Sequence, residues 1–251
     1  KYIEEMKELQ EKLLSFIDST DENNDDDIEF EELKDILTEQ KIQRKRRKLK
    51  SFLILIRNIS NNHHRSTDFF EKIEQILKFL SKCIKKTFSK REIFEIFVSN
   101  KRILLFLFEE QIIKVNQNIV NYFLEEDEKS SNKYCHFFYP EVKSFLTEEK
   151  SQEIKKELLE NDPDYETNFN EKRHLGENEK QLFSFIRKDE VEKFIEYIHF
   201  YKISLKISIE PSIYETNPFL ISNKPSMIEY AAFFGSIQIF KYLFINNVAI
   251  E

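Results

Sequence analysis

The sequence predicts an all-α protein, and three observations support this class. The chain of 251 residues holds only 2 glycines and 5 prolines, so it has few of the residues that make tight turns. Apolar residues recur three and four positions apart in many segments, which is the period of an amphipathic helix. A hydrophobic content of 40% in a chain of this length is enough to bury a core.

Residues 1–88 are predicted to form an N-terminal helical domain. Apolar positions at three-four spacing mark its helices: Tyr2, Met6, Leu9, Leu13 and Phe16 in the first, Leu33, Ile36 and Leu37 in the second, Leu49, Phe52, Leu53 and Ile56 in the third, and the stretch from Phe69 to Ile84 in the fourth. Asp68, with Glu71 three residues later, marks the start of the fourth helix. Each spacing is that of a helix with one apolar face.

Residues 89–160 are predicted to remain helical. Ser89 and Glu92 match a capping box, in which each side chain bonds to the other residue's backbone N–H. We interpret residues 89–124 as one or two decayed helix-pair repeats, because Leu107–Phe108 matches Leu243–Phe244 near the end of the sequence.

Two polar segments are predicted to interrupt the helices. The acidic run 125–133 is expected to be a loop, and Pro140 lies in the first turn of the helix that follows. The segment 160–179, which contains Pro163 and Gly176, is the predicted domain boundary.

The stretch Asn223–Glu251 has the pattern of one helix-turn-helix unit. Gly235 suits the left-handed backbone that ends a first helix, and Asn247 suits a second left-handed position. Ile239, Phe240 and Leu243 are predicted to lie on the inward face of a second helix. A unit of this kind cannot bury its own apolar face, so it implies stacked neighbours.

This pattern resembles the ankyrin repeat. The run Ser226-Met227-Ile228-Glu229-Tyr230-Ala231-Ala232 stands where ankyrin repeats have T-P-L-H-L-A-A, and Gly235-Ser236-Ile237-Gln238-Ile239-Phe240 stands where they have G-H-x-E-I-V. The resemblance implies that Ala231 and Ala232 are small because one repeat packs closely on the next. It also shows two departures: Met227 replaces the usual proline, and Glu229 replaces the histidine that bonds between repeats.

A second, degenerate repeat is predicted at 180–200, so that 177–251 forms the ankyrin-type region. Val191, Phe194 and Tyr197 align with Ile237, Phe240 and Leu243, which lie 46 positions later, roughly 13 more than the usual period. The surplus falls in 201–224, where the alternation of Ile203, Leu205, Ile207 and Ile209 predicts either a strand or an enlarged hairpin finger.

Most of the chain resembles a group of divergent ankyrin proteins from protists with AT-rich genomes. In that group a helical region with segments like Ile59–Arg65 and Ser99–Leu107 precedes the repeats. Because the chain ends just after one repeat, we expect further repeats to follow Glu251 in the natural protein. Membership of a larger assembly stays open at this point.

The predicted function is non-enzymatic protein recognition by a scaffold of ankyrin repeats. The resemblance places the binding surface on the hairpin tip and on the exposed face of the first helix, namely Ser222, Asn223, Lys224, Glu229, Phe233 and Phe234. Two readings of the phenylalanines remain open. They are either exposed anchors for a partner, or they pack against the 201–224 segment or a following repeat.

The alternative function is calcium-responsive binding. Residues 21–32 fit a single EF-hand-like loop, with Asp21, Asn23, Asp25 and Glu32 as oxygen ligands. Asp26 stands where this loop requires glycine, and no second loop is present to pair with it. The competing reading is an acidic connection between two helices.

The basic run 41–50 holds seven basic residues in ten, so it fits either a nuclear-import signal, a reader of anionic partners, or the solvated face of a helix paired with the acidic segment 25–35. We favour the helix face. The net charge of −7 argues against nucleic acid as a partner.

Cofactors, membranes and catalysis find no support in the sequence. Cys83 and Cys135 are far apart and fit free thiols in a reducing compartment. The longest apolar run, Ile103–Phe108, is too short to span a bilayer. Neither His63-His64 nor Cys135-His136 has metal-ligand spacing, and no phosphate-binding loop or hydrolase motif occurs. We therefore expect a cytoplasmic protein with no cofactor, with nuclear entry through 41–50 as the alternative.

Overall fold

A computed structural model describes residues 2–19, 25–62, 68–130, 132–162 and 164–248. Regular structure in these ranges is helical apart from an isolated antiparallel bridge between Ser208 and Ser226, which confirms the all-α prediction. The chain divides into two compact units, residues 1–114 and 115–251.

The first unit is a cluster of six α-helices within the described ranges. They are α1 (Tyr2–Asp18), α2 (Asp25–Glu39), α3 (Arg46–Asn62), α4 (Phe69–Thr87), α5 (Lys90–Phe97) and α6 (Lys101–Glu109), with a 3₁₀ helix at Ile42–Arg44 before α3. Helix α1 packs along α2, and α4 contacts α1, α3 and α6. The predicted apolar positions Leu9, Leu13 and Phe16 are buried on α1.

The predicted boundary at residue 88 lies inside this unit. Ser89 and Glu92 form the capping box that starts α5, and α5 packs against α3 and α6. The helix pair α5–α6 therefore belongs with the N-terminal helices.

The second unit contains ten α-helices in the described ranges. They are α7 (Gln117–Lys129), α8 (Tyr134–Phe137), α9 (Tyr139–Val142), α10 (Glu148–Asn161), α11 (Tyr165–Leu175), α12 (Gln181–Arg187), α13 (Val191–Phe200), α14 (Pro218–Asn223), α15 (Met227–Phe234) and α16 (Ile237–Ile245). Pro140 lies in the first turn of α9, as predicted.

Two of the predicted connections are wrong in this unit. Helix α7 continues through most of the expected loop 125–133, since Asn116 caps its start and Lys129 pairs with Glu125 one turn earlier. Helix α11 occupies the middle of the expected boundary 160–179 and buries Tyr165 and Phe169, while Gly176 ends it at a left-handed φ of 66°.

The helices α12–α13 and α15–α16 form two hairpins with matching turns. Asp189 (φ 52°) and Gly235 (φ 69°) take the left-handed conformation between the two helices of each hairpin. The second helices also end alike, at Lys202 (φ 53°) and Asn247 (φ 58°). Helix α12 stacks on α15 and α13 on α16, so the two hairpins share one apolar core.

The proposed alignment of the two hairpins holds at their first turns and slips at their ends. Helix α13 has 10 residues and α16 has 9, so the closing turn falls one position out of step. Phe194 and Ile198 are the buried residues of α13. Counted back from the closing turn, they correspond to the buried Ile239 and Leu243 of α16, whereas the predicted alignment paired Phe194 with Phe240. Similarly, Ala231 is buried as predicted whereas Ala232 is exposed.

The segment between the hairpins is an enlarged finger rather than a strand. Ile203, Leu205 and Ile207 are half-buried and Ile209 is buried, while the residues between them are exposed, so the predicted alternation describes their burial correctly. The Ile209 N–H donates to the Pro225 carbonyl at 2.8 Å, which closes the base of an excursion that contains α14.

Candidate protein-interaction surface

The first helix of the terminal hairpin begins with a capping box. Ser226 Oγ accepts from the Glu229 N–H, while Glu229 Oε2 accepts from the Ser226 N–H at 2.8 Å and from its hydroxyl at 2.7 Å. Glu229, predicted to face a partner, is therefore half-buried and engaged in its own helix. The signal for this role is the spacing of serine and glutamate, which is the same signal that predicted the α5 cap.

Phe233 and Phe234 belong to a half-exposed aromatic cluster. Phe233 stacks on Phe219 with 5.6 Å between ring centroids and 8° between planes, and its ring lies 5.0 Å from that of Phe234. Phe234 in turn contacts the fully buried Tyr230 at 4.7 Å. The reading in which these residues pack against the 201–224 segment therefore applies to Phe233. Phe219, which the sequence analysis did not single out, keeps 44% of its surface exposed.

The predicted hairpin tip is in fact the end of a helix. Ser222 and Asn223 form the last residues of α14, and Lys224 caps it at a left-handed φ of 45°. Asn223 Nδ2 donates to the Phe219 carbonyl at 2.9 Å, and Lys224 Nζ pairs with Glu210 at 2.7 Å. These three residues are exposed and lie beside the base of the finger, on the same helix as Phe219.

The two hairpins are joined by polar bonds as well as by their core. The Asp189 carboxylate accepts from the Gln238 N–H at 3.0 Å and from the Ile239 N–H at 2.9 Å, so it caps the second helix of the other hairpin. Ser236 Oγ donates to the Ile186 carbonyl. Neither contact is predictable from a local sequence pattern, because both join residues about fifty positions apart.

An arginine whose side chain is 12% exposed reinforces this junction. Arg187 donates to the Tyr230 hydroxyl at 2.9 Å and pairs with Glu177 at 2.8 Å. Burial lowers the pKa of Arg187, but the tyrosine and the carboxylate outweigh that effect and raise it. Burial raises the pKa of Tyr230 well above its usual range. Tyr230 therefore stays neutral and Arg187 charged across the physiological range.

A second polar cluster fixes the finger to α11. Lys172 Nζ lies 2.8 Å from each carboxylate oxygen of Asp162. The hydroxyl of the fully buried Tyr214 also donates to this carboxylate. Burial would raise the pKa of Asp162, but these hydrogen bonds lower it overall. The cluster ties the 209–217 part of the finger to the preceding helices and so limits how far α14 can move.

The histidine and cysteine pair at 135–136 is buried and inert. His136 Nε2 lies 2.8 Å from Glu157, and burial lowers the pKa of the imidazole despite that contact. Burial also raises the pKa of the Cys135 thiol far above its usual range, so it is a poor nucleophile.

The proposed calcium loop differs from the structure where the two can be compared. Helix α2 begins at Asp25, so positions five to twelve of the pattern are helical, and Glu32 pairs with Lys12 of α1. Asp21 and Asn23 lie outside the described residues, as does the side chain of Asp25. His63 and His64 also lie outside them.

The basic run is distributed over two elements. It covers the 3₁₀ helix and the first turn of α3, where Arg46 pairs with Glu92 of α5 and Lys48 with Glu5 of α1. Neither residue makes the expected pairing with the acidic segment 25–35, because the carboxylates that these two residues contact come from other helices.

Within the described ranges, no group of three or more His, Cys, Asp and Glu side chains could hold a metal ion. No described helix is both long enough and apolar enough to cross a membrane. Comparisons with family models, curated proteins and solved structures return no match for this chain.

Proposed function

We propose that the α12–α16 region is an ankyrin-type module that recognises a protein partner without catalysing a reaction. The observation that carries this proposal is the repeated hairpin geometry. Both hairpins turn through a left-handed residue after the first helix and close through a second one, and the corresponding helices of the two hairpins pack against each other. Stacked hairpins of this kind expose a continuous surface, which suits them to binding extended partners.

The surface we assign to the partner is the aromatic cluster of Phe219, Phe233 and Phe234, with Ser222 and Asn223 at its rim. Aromatic rings that are packed on one side and exposed on the other supply contact area at little entropic cost, since their neighbours already fix them. Phe219 stacks on Phe233, so the cluster is held before a partner arrives. Glu229 and Lys224 support the surface through their own bonds rather than by direct contact.

The test is the variant Phe219→Ser. Because Phe219 is 44% exposed, its loss should leave the protein folded while removing the outermost ring of the cluster. Loss of the stacking on Phe233 should lower stability only modestly, by about 0.5–1.5 kcal/mol for the ring pair. Proteins that the wild-type chain enriches from a lysate are identified, and the most strongly enriched one is purified. The affinity of this purified partner is then measured for wild type and for each variant. We expect Phe219→Ser to weaken binding by about tenfold or more, as for an interface anchor.

The matched control is Phe200→Ser, which removes a phenylalanine that is 79% exposed at the end of α13. It should bind the purified partner as wild type does. Equal affinity of wild type and a folded Phe219→Ser protein would overturn the assigned surface. Failure of wild type to enrich any protein would count against the proposed function itself.

A further inference from the structure

The first unit brings together two basic runs that lie far apart in the sequence. One is 41–50, with seven basic residues and no acidic one. The other is 78–91, with six basic residues and again no acidic one. The second run covers the C-terminal half of α4 and the start of α5.

Several contacts show that the two runs adjoin. Arg46 donates to the Thr87 carbonyl and its guanidinium lies 4.9 Å over the Phe88 ring. Gln43 accepts from Cys83 Sγ at 3.6 Å. The 3₁₀ helix contacts α4, and α3 contacts α5. The two basic runs therefore form one surface of the unit.

Most cations on this surface make no hydrogen bond or ion pair to a described residue. Arg46, Lys48, Lys78, Lys85 and Arg91 bond to carboxylates or to a carbonyl. Seven others are exposed, and their side chains make no hydrogen bond or ion pair to any described residue; we call them the open cations: Lys41, Arg44, Lys45, Lys50, Lys82, Lys86 and Lys90.

We propose that the open cations bind a short acidic segment of a partner protein. Six of the seven are lysines, which act as mobile point charges and suit carboxylates arranged along a flexible chain better than bidentate recognition of one group. The carboxylates Glu5 and Glu92 already occupy Lys48 and Arg46 on this surface, so its geometry admits carboxylate ligands.

The neighbourhood of the surface favours a short polyanion over a long one. Helix α2 carries eight acidic residues against one lysine and ends two residues before Lys41. Helix α2 contacts the 3₁₀ helix of this surface, so a nucleic-acid duplex or an anionic bilayer that extends beyond the cations would meet the negative charge of α2. Such charges repel one another over about 8 Å at physiological salt. An acidic peptide stays within the surface.

The experiment uses a fluorescein-labelled peptide of about twelve aspartates and glutamates, which is roughly 40 Å long when fully extended. Its anisotropy is measured with the full chain at low salt, and we expect saturable binding that weakens about tenfold at several hundred millimolar NaCl. Lys45→Glu and Lys86→Glu, one from each run, should each weaken binding by a comparable factor of about ten, because both runs form one surface.

The control is Lys206→Glu combined with Lys241→Glu, two exposed lysines of the second unit. It is compared with Lys45→Glu combined with Lys86→Glu, which changes the net charge equally. Retained binding in the control and loss in the test variant would support the surface. Equal loss in both, or no binding by wild type, would overturn it.

Two competing ligands complete the test: a short DNA duplex and vesicles containing phosphatidylserine. Either one binding more tightly than the peptide through Lys45 and Lys86 would replace the acidic segment as the ligand and overturn the proposal. This experiment is independent of Phe219, so its failure leaves the function proposed for the second unit standing.

Discussion

Among the side chains that join the two hairpins of the second unit, Asp189 is the one whose removal we expect to weaken the junction most. Its carboxylate accepts from two backbone N–H groups at the start of α16, although Asp189 itself belongs to the turn of the other hairpin. It also holds a left-handed φ of 52°. Substitution therefore tests a helix cap and a strained backbone position together.

Three variants separate these two effects. Asp189→Ala removes the cap, at about 1 kcal/mol with a range of 0.5–2, and leaves a Cβ residue less suited to the left-handed region, at about another 1 kcal/mol. Asp189→Gly also removes the cap, but glycine adopts the left-handed conformation without strain. The free energy of unfolding should therefore fall by no more than about 1 kcal/mol. Asp189→Asn keeps one acceptor and tolerates the left-handed conformation, so it should destabilise the protein less than Asp189→Ala does.

The free energy of unfolding is measured by denaturant titration, and exchange of the Gln238 and Ile239 amides is followed by NMR. Both amides should exchange faster in Asp189→Ala and Asp189→Gly. Glu196→Ala, at an exposed residue of α13 with no bond to a described residue, is the control and should change stability by less than about 0.5 kcal/mol. Unchanged amide exchange in Asp189→Ala would refute the assigned cap. A free energy of unfolding for Asp189→Gly that is no higher than that of Asp189→Ala would refute the backbone argument.

Three further predictions concern single sites. Gly235→Ala should lower the free energy of unfolding by about 1 kcal/mol, because φ is 69° while an added Cβ meets nothing within 4 Å; an unchanged denaturation midpoint would contradict this. Burial lowers the pKa of His136, so the unfolded chain binds its proton first; stability should fall as pH drops below the usual 6.5, and His136→Gln, which leaves Glu157 in place, should reduce that fall in denaturant titrations. Since Glu32 is helical and paired with Lys12, adding millimolar calcium should change the thermal unfolding of neither wild type nor Glu32→Gln. A calcium-induced stabilisation of wild type that Glu32→Gln abolishes would support the calcium loop after all.

Local signals in the sequence predicted the helices and their ends well. The Ser89–Glu92 cap and the left-handed positions at Gly235 and Asn247 are confirmed, because each depends on residues within one or two turns. The same locality explains the error at 160–179. Polar composition there indicated a boundary, yet Tyr165 and Phe169 anchor α11 in the core of the unit.

Contacts between distant residues could not be predicted in the same way. The stacking of Phe233 on Phe219 depends on how α14 folds back within the finger, and no local pattern specifies that path. The basic surface likewise arises because Arg46 meets Thr87 and Phe88, so the lysines of α4 have meaning only in the folded unit.

Glu229 stands where the ankyrin-type module that we propose would have a histidine, and it illustrates how these two levels combine. A glutamate at this position closes a capping box within its own helix and leaves no bond to the neighbouring hairpin from that side chain in the described contacts. Cohesion between the hairpins comes instead from Asp189, Ser236 and Arg187, which bond across the junction. If this compensation holds, Glu229→Gln should destabilise α15 only modestly, by about 0.5–1 kcal/mol, whereas loss of Asp189 should loosen the start of α16. Amide exchange in the two helices distinguishes these outcomes, because a bridging role for Glu229 would accelerate exchange in both hairpins at once.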